Sequence, residues 1–153
     1  MMSNRSNSIK KLGVIVEQLG YKIKFLQNSE ELPVDMLNLY LDNDERDRPQ
    51  IITITAYPLS DELDACNFIQ FYFEYPFQIH ADKRTEAHLA LSTINQEVPL
   101  GHFNIFADSG NPYFKYVLAL SHNQKVEPLF VNDVLDMIVF AQQHYLGRFE
   151  ALI

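Results

Sequence analysis

Apolar residues recur along this chain at two spacings, and each change of spacing marks a change of element. Ile9, Leu12, Val16 and Leu19 fall at helical intervals. Ser6 or Ser8 is placed to cap the start, and Gly20 stands where a left-handed residue closes a helix. In "YKIKF" the period drops to two, with Tyr21, Ile23 and Phe25 on one side and Lys22 and Lys24 on the other, as in a half-buried strand. Residues 28 to 35 read as a turn. "MLNLYL" resumes the alternation, "DNDERDRP" breaks it with six charged residues in eight, and "QIITITAY" continues it with Ile52, Ile54 and Ala56 opposite Thr53 and Thr55. Pro58 to Asp64 forms another loop.

The stretch "CNFIQFYFEYPFQIH", Cys66 to His80, holds six aromatic rings in fifteen residues. Period two places Ile69, Phe71, Phe73 and Tyr75 on one face and Cys66, Phe68, Gln70, Tyr72 and Glu74 on the other, so the rings divide into an inner and an outer set. After Pro76 the period lengthens. Asp82 is a candidate N-cap, Ala87, Ala90, Leu91, Ile94 and Val98 form a helical stripe, and Pro99 ends it. Two alternating segments then flank Asp108-Ser109-Gly110-Asn111, residues suited to a tight reversal, which predicts a β-hairpin with Phe103, Ile105, Phe114 and Tyr116 on one buried face. In the last segment Val131, Val134, Leu135, Ile138, Tyr145, Leu146 and Phe149 follow one helical side, while Phe130, Met137 and Phe140 widen the apolar arc. An arc that wide implies either deep burial or a second partner.

The predicted class is α+β: a helix, an antiparallel strand meander, a helix, a β-hairpin and a C-terminal helix. At 153 residues the chain is expected to form one domain, spanning 1-153, since a chain of this size buries about 70% of its unfolded surface. Twenty acidic against twelve basic residues give a net charge of -8. That balance opposes nucleic-acid binding, where Lys and Arg displace the counterions of a phosphate backbone. A single cysteine, Cys66, allows no internal disulfide and reads as a small buried hydrophobe. The opening "MMSNRSNSIKK" has no signal-peptide core behind its charges, and no apolar run approaches the ~20 residues that span a bilayer. The expectation is a cytoplasmic protein without a membrane partner.

Sites for chemistry are sparse. Asp42, Asp44, Glu45 and Asp47 lack the glycine and terminal glutamate of a calcium loop and read as a solvated connection. The five histidines, His80, His88, His102, His122 and His144, show no zinc spacing. Ser109 lacks the turn of a serine nucleophile, the glycines form no phosphate loop, and Asp61, Glu62 and Asp64 read as solvated loop carboxylates. No catalytic residue, metal or cofactor is therefore expected.

The order of elements resembles the secretion-chaperone-like architecture shared by class I type III secretion chaperones and the YbjN-like family. The resemblance is carried by "AHLALSTINQEVPLGHFNIFADSGNPYFKYVLAL" and "FVNDVLDMIVFAQQHYLGRFEALI". It implies a non-enzymatic, often dimeric protein that handles other polypeptides, by analogy of fold.

With helices on one sheet face, Tyr40, Tyr57, Phe68, Tyr72, Phe106 and Tyr113 fall in phase with polar neighbours on the other, a composition suited to holding an extended polypeptide client. Leu91, Ile94, Met137 and Phe140 are the candidates for a homodimer interface. The alternative is a small-molecule-binding or enzymatic domain in which His102, Asn104 and Lys115 converge on a pocket between sheet and helices.

Overall fold

The computed structural model describes residues 4–32, 34–56, 66–121 and 124–153, with side chains for all of these except 4–7 and 66. The order of elements is α1 (Asn4–Gln18), β1 (Lys22–Leu26), β2 (Met36–Leu41), β3 (Gln50–Ala56), β4 (Cys66–Glu74), α2 (Arg84–Glu97), β5 (His102–Ile105), β6 (Pro112–Ser121) and α3 (Pro128–Glu150). The fold is α+β, as the spacing predicts. Tyr57, the segment from Pro58 to Asp64 and His122 lie outside the described residues, and the side chain of Cys66 outside the described side chains.

Helix α1 ends as its glycine foretells. Gly20 has φ +98°, its N–H donates to Glu17 O at 3.0 Å, and the Tyr21 N–H reaches back to Val16 O at 3.3 Å. This is a Schellman closure, and it turns the chain directly into β1. The start of α1 differs from expectation, because Ser6 and Ser8 are inside the helix and not ahead of it. Asp82 likewise does not cap α2. A 3-10 turn, Ala81–Lys83, precedes that helix, and the ring of His80 accepts from the Asp82 N–H at 3.3 Å.

Six antiparallel strands form one sheet in the order β1-β2-β3-β4-β6-β5. The first four make a meander. Strand β6, ten residues long, pairs along nine residues of β4 and along all of the four-residue β5 on its other side, so the hairpin inserts its second strand beside the meander. The hairpin closes at the predicted residues: Phe106 N–H donates to Asn111 O at 3.0 Å and Gly110 N–H to Phe106 O at 2.8 Å. Gly110 adopts φ +80°, and a Cβ there would come within 2.9 Å of Ile79 O, so only glycine fits.

Each of the three helices buries one apolar stripe with one sheet face. Ile9, Leu12 and Val16 of α1, Ala87, Leu91 and Ile94 of α2, and Val131 to Phe149 of α3 share a single core with Leu37, Leu39, Ile52, Ile54, Ile69, Phe71, Phe73, Phe103 and Phe114. The inner rings interlock. Phe73 stacks on Phe114 at 5.0 Å, and Phe103 meets Phe114, Tyr145 and Phe149 at 5.1 to 5.4 Å between centroids. Tyr75 satisfies its buried hydroxyl by donating to Gln142 O at 2.6 Å. Each such buried ring contributes about 2–3 kcal/mol of apolar transfer.

The charged connection after β2 is more ordered than a solvated turn. Asp44 accepts from the backbone N–H groups of Arg46 and Arg48 at 2.9 Å each and from Arg48 Nε at 2.7 Å. Arg48 also donates to Glu150 at 2.8 Å, Arg46 reaches the same carboxylate at 3.0 Å, and the Arg48 guanidinium lies 5.0 Å from the Phe77 ring centre. The loop is thereby clamped to the last turn of α3.

Candidate interaction face

The candidate site is the sheet face opposite the helices. Alternation places Lys22 and Lys24 of β1, Met36, Asn38 and Tyr40 of β2, Ile51 and Thr53 of β3, Phe68, Gln70, Tyr72 and Glu74 of β4, His102 and Asn104 of β5, and Tyr113, Lys115 and Val117 of β6 on this side. All of these residues are half-buried or exposed, whereas Thr55, which pairs with Met36 and Gln70 on the same side, is 7% exposed.

Of the rings expected here, Tyr40, Phe68, Tyr72, Phe106 and Tyr113 are on or beside this face, whereas Tyr57 lies outside the described residues. Three of them form a chain. Tyr113 stacks on Phe106 at 4.4 Å with 30° between planes and meets Tyr72 at 5.7 Å. Tyr40, 38% exposed, and Phe106, 39% exposed, present the most surface. The Tyr72 hydroxyl donates to Glu74 Oε2 at 3.0 Å. Burial and then the Glu74 carboxylate push that phenol upward, so it stays protonated as a donor.

The register adds what alternation alone does not supply. Lys24 pairs with Asn38, Asn38 with Thr53, Thr53 with Tyr72, Tyr72 with Lys115 and Lys115 with His102, a row of polar-tipped side chains crossing all six strands. Within it Thr53 Oγ1 donates to Asn38 Oδ1 at 2.9 Å. Partial burial and then the neighbouring Lys115 charge lower the His102 pKa, favouring a neutral ring.

Two expectations are corrected, one by burial and one by strand phase. Leu91 is 6% and Ile94 1% exposed, both spent in the core of the chain itself, so neither is available to a dimer interface. The narrow stripe of α2, Ala87, Leu91 and Ile94, is used up in the core it shares with β5 and α3. Met137 remains half-buried and Phe140 is 51% exposed, its ring stacked on His144 at 5.0 Å. The second correction concerns His102, Asn104 and Lys115. Strand phase puts them on the open face, away from the helices, so they line no pocket between sheet and helix.

Clefts occur elsewhere. One of about 720 Å³ lies between the β2–β3 connection and α3, lined by Tyr21, Leu41, Asp44, Val139, Leu146 and Glu150 among others. Another, of about 420 Å³, lies between α1 and the ends of β4 and β6, with Leu12, Ile15, Leu120 and Val126 as its apolar wall. Among the described residues no group of three His, Cys, Asp or Glu side chains is arranged to hold a metal, and no helix is long and apolar enough to cross a membrane.

No protein-family model matches the sequence, and no curated protein matches it either.

Proposed function

We propose that this protein is a non-enzymatic interaction module with a chaperone-like or regulatory role, holding an extended segment of another polypeptide on its open sheet face. One observation carries the reading: the Tyr72, Tyr113 and Phe106 rings form a continuous aromatic chain on the sheet face opposite the one that, among the described residues, shares its core with the helices. Tyrosine and phenylalanine beside hydrated polar groups suit reversible contact, since the rings lose apolar exposure while the hydroxyls keep hydrogen-bonding partners. The resemblance in element order to secretion-chaperone-like proteins supports the same reading and a cytoplasmic setting.

A homodimer belongs to this proposal. Phe130, Met137 and Phe140 recur at i, i+7 and i+10 along α3, and Phe130 is 41% exposed. They give a second copy an apolar stripe on the side opposite the client, and two copies raise the effective concentration of each weak contact.

The test is binding of an array of extended 12-residue peptides to the whole chain, read by fluorescence anisotropy. The double variant Tyr72→Ser/Phe106→Ser is expected to lose binding with its helix content unchanged. Undiminished binding by that folded variant refutes the reading. A second reading, a small ligand in the cleft between α1 and the ends of β4 and β6, is favoured by its volume of about 420 Å³, within the usual range for ligand pockets. Mass spectrometry of the natively purified protein detects a retained metabolite if that reading holds.

A further inference from the structure

The inner face of the sheet outruns the helices at one end. Leu37, Leu39, Ile52 and Ile54 are fully buried, but the next inner positions, Tyr21, Leu41 and Gln50, are only half-buried. Between them and Val139, Leu146 and Gly147 of α3 opens the cleft of about 720 Å³, within the roughly 300–1,000 Å³ usual for ligand pockets. Every residue that lines it is described. The chain passes into the undescribed residues 33, 57–65 and 122–123 beyond Leu26, Ala56 and Ser121, which the register sets at the opposite end of the sheet from Leu41 and Gln50.

Four carboxylates line this cleft. Asp44 and Glu150 are committed to Arg48 and Arg46 at 2.7 to 3.0 Å, two charges against two, and these bonds fix the connecting loop as one wall. Asp42 and Glu45 are exposed and form no ion pair with a described residue. The mouth therefore keeps two negative charges. Neighbouring cations do not balance them, since Lys22 belongs to the open sheet face and Arg148 reaches Glu97 at 3.0 Å. Asp136 adds to the negative side. Burial and then the Asp136 charge push the Tyr21 phenol upward, so it stays a neutral hydroxyl.

The floor of the cleft has a gap that the chain itself does not require. Gly147 lies inside α3 with ordinary helical backbone, where glycine is a poor helix former. A Cβ at this position would meet nothing within 4 Å. No neighbour demands the missing side chain, and its absence bares helix backbone on which a flat apolar group can lie. We infer that this cleft binds an organic cation, its ammonium held by Asp42 and Glu45 and its apolar body against Tyr21, Leu41, Leu146 and the bare backbone of Gly147. An anion would meet two uncompensated carboxylates, and a small hydrated cation would leave the apolar wall uncovered. The site is on the helix side of the sheet and independent of the open face.

The probe is N-dansylcadaverine, a fluorescent alkylamine, titrated onto the full chain and read by anisotropy. Its N-acetyl derivative is the neutral control and dansyl-aminohexanoate the anionic one. The amine is expected to bind about tenfold tighter than the acetylated probe, the scale of two partly exposed ion pairs, with the anion weakest. Asp42→Asn/Glu45→Gln is expected to bring the amine down to the acetylated probe, whose own binding stays unchanged. Gly147→Leu fills the floor and is expected to weaken both probes by about tenfold. Gly147→Ala, which adds only a methyl to open space, gives a smaller loss in the same direction and serves should leucine disturb the helix. Tyr72→Ser/Phe106→Ser and Phe140→Ser are expected to bind the amine as the unaltered chain does. Equal affinity for the amine and the acetylated probe overturns the charge assignment. Amine binding that survives both the carboxylate and the Gly147 variants overturns the site, as does no amine binding at millimolar concentration. Loss in the ring variant moves the amine to the open face, and loss in Phe140→Ser moves it to an interface between two copies; either result sinks the inference.

Discussion

Asn95 grips Phe103 by both of its backbone polar groups: the Phe103 N–H donates to Asn95 Oδ1 at 2.8 Å, and Asn95 Nδ2 donates to Phe103 O at 3.1 Å. The side-chain amide thus stands in for a neighbouring strand. Strand β5 is at an edge of the sheet, and the next N–H on the same side of the strand, that of Ile105, is taken by the side chain of Asn104 at 2.8 Å. Edge strands left unpaired recruit other chains, and this one is blocked by its own asparagines.

Asn95→Ala is accordingly expected to lower stability by about 1–2 kcal/mol and to promote self-association at high concentration. Urea denaturation measures the first effect and size exclusion with light scattering the second.

The Asp44 carboxylate predicts an acid limb. Burial alone would raise its pKa, but the hydrogen bonds from Arg48 and Arg46 and the Arg48 charge outweigh that and bring it below the ordinary value. A depressed carboxylate contributes stability that is present above its unfolded pKa of about 4 and is lost as pH falls through the folded value. Stability measured by denaturant between neutral pH and strong acid should drop below about pH 4. Asp44→Asn should flatten that drop and lower neutral-pH stability by about 2 kcal/mol, through loss of charged hydrogen bonds.

His102 acts in a separate window. Its pKa is lowered, first by burial and then by Lys115, with which it pairs in register, so protonation favours the unfolded chain. Stability is unaffected above about pH 6.5, declines as pH falls below that unfolded value, and levels off below the folded one. His102→Gln is expected to remove this mild slope while sparing the steeper loss due to Asp44, and NMR titration of the imidazole checks the direction.

For the α3 stripe, the expected mass in solution is that of a dimer at micromolar concentration, with roughly 1,200–2,000 Å² buried in total. Phe140→Ser should give a monomer with unchanged helix content, because Phe140 is 51% exposed and lies outside the core. Light scattering of both proteins decides it; a monomeric wild type refutes the interface.

Much of this fold was legible because the two periodicities are local geometry. The inner rings of the Cys66 to His80 stretch, the hairpin at Asp108 to Asn111 and the closing Gly20 each follow from a few adjacent residues. Leu91 and Ile94 were misassigned for a related reason: a helical stripe reveals which residues are apolar together, but which part of the stripe the sheet consumes depends on the packing angle. The Asp44, Arg48 and Glu150 clamp was hidden because Arg48 and Glu150 are 102 residues apart, and a charged run reads as solvated until a distant carboxylate meets it.

For the candidate site the division is sharper. The sequence by itself determined the face of each outer residue, since successive strand side chains must point to opposite sides. Only the tertiary structure decided that Lys24, Asn38, Thr53, Tyr72, Lys115 and His102 stand in one row. That row depends on β6 entering between β4 and β5 and on one register out of several that keep the same inner face. A two-residue slip preserves every alternation, so local pattern cannot choose among registers. The interlocking of Phe73, Phe103 and Phe114 across three strands does choose, because their close ring contacts form only when those positions are aligned.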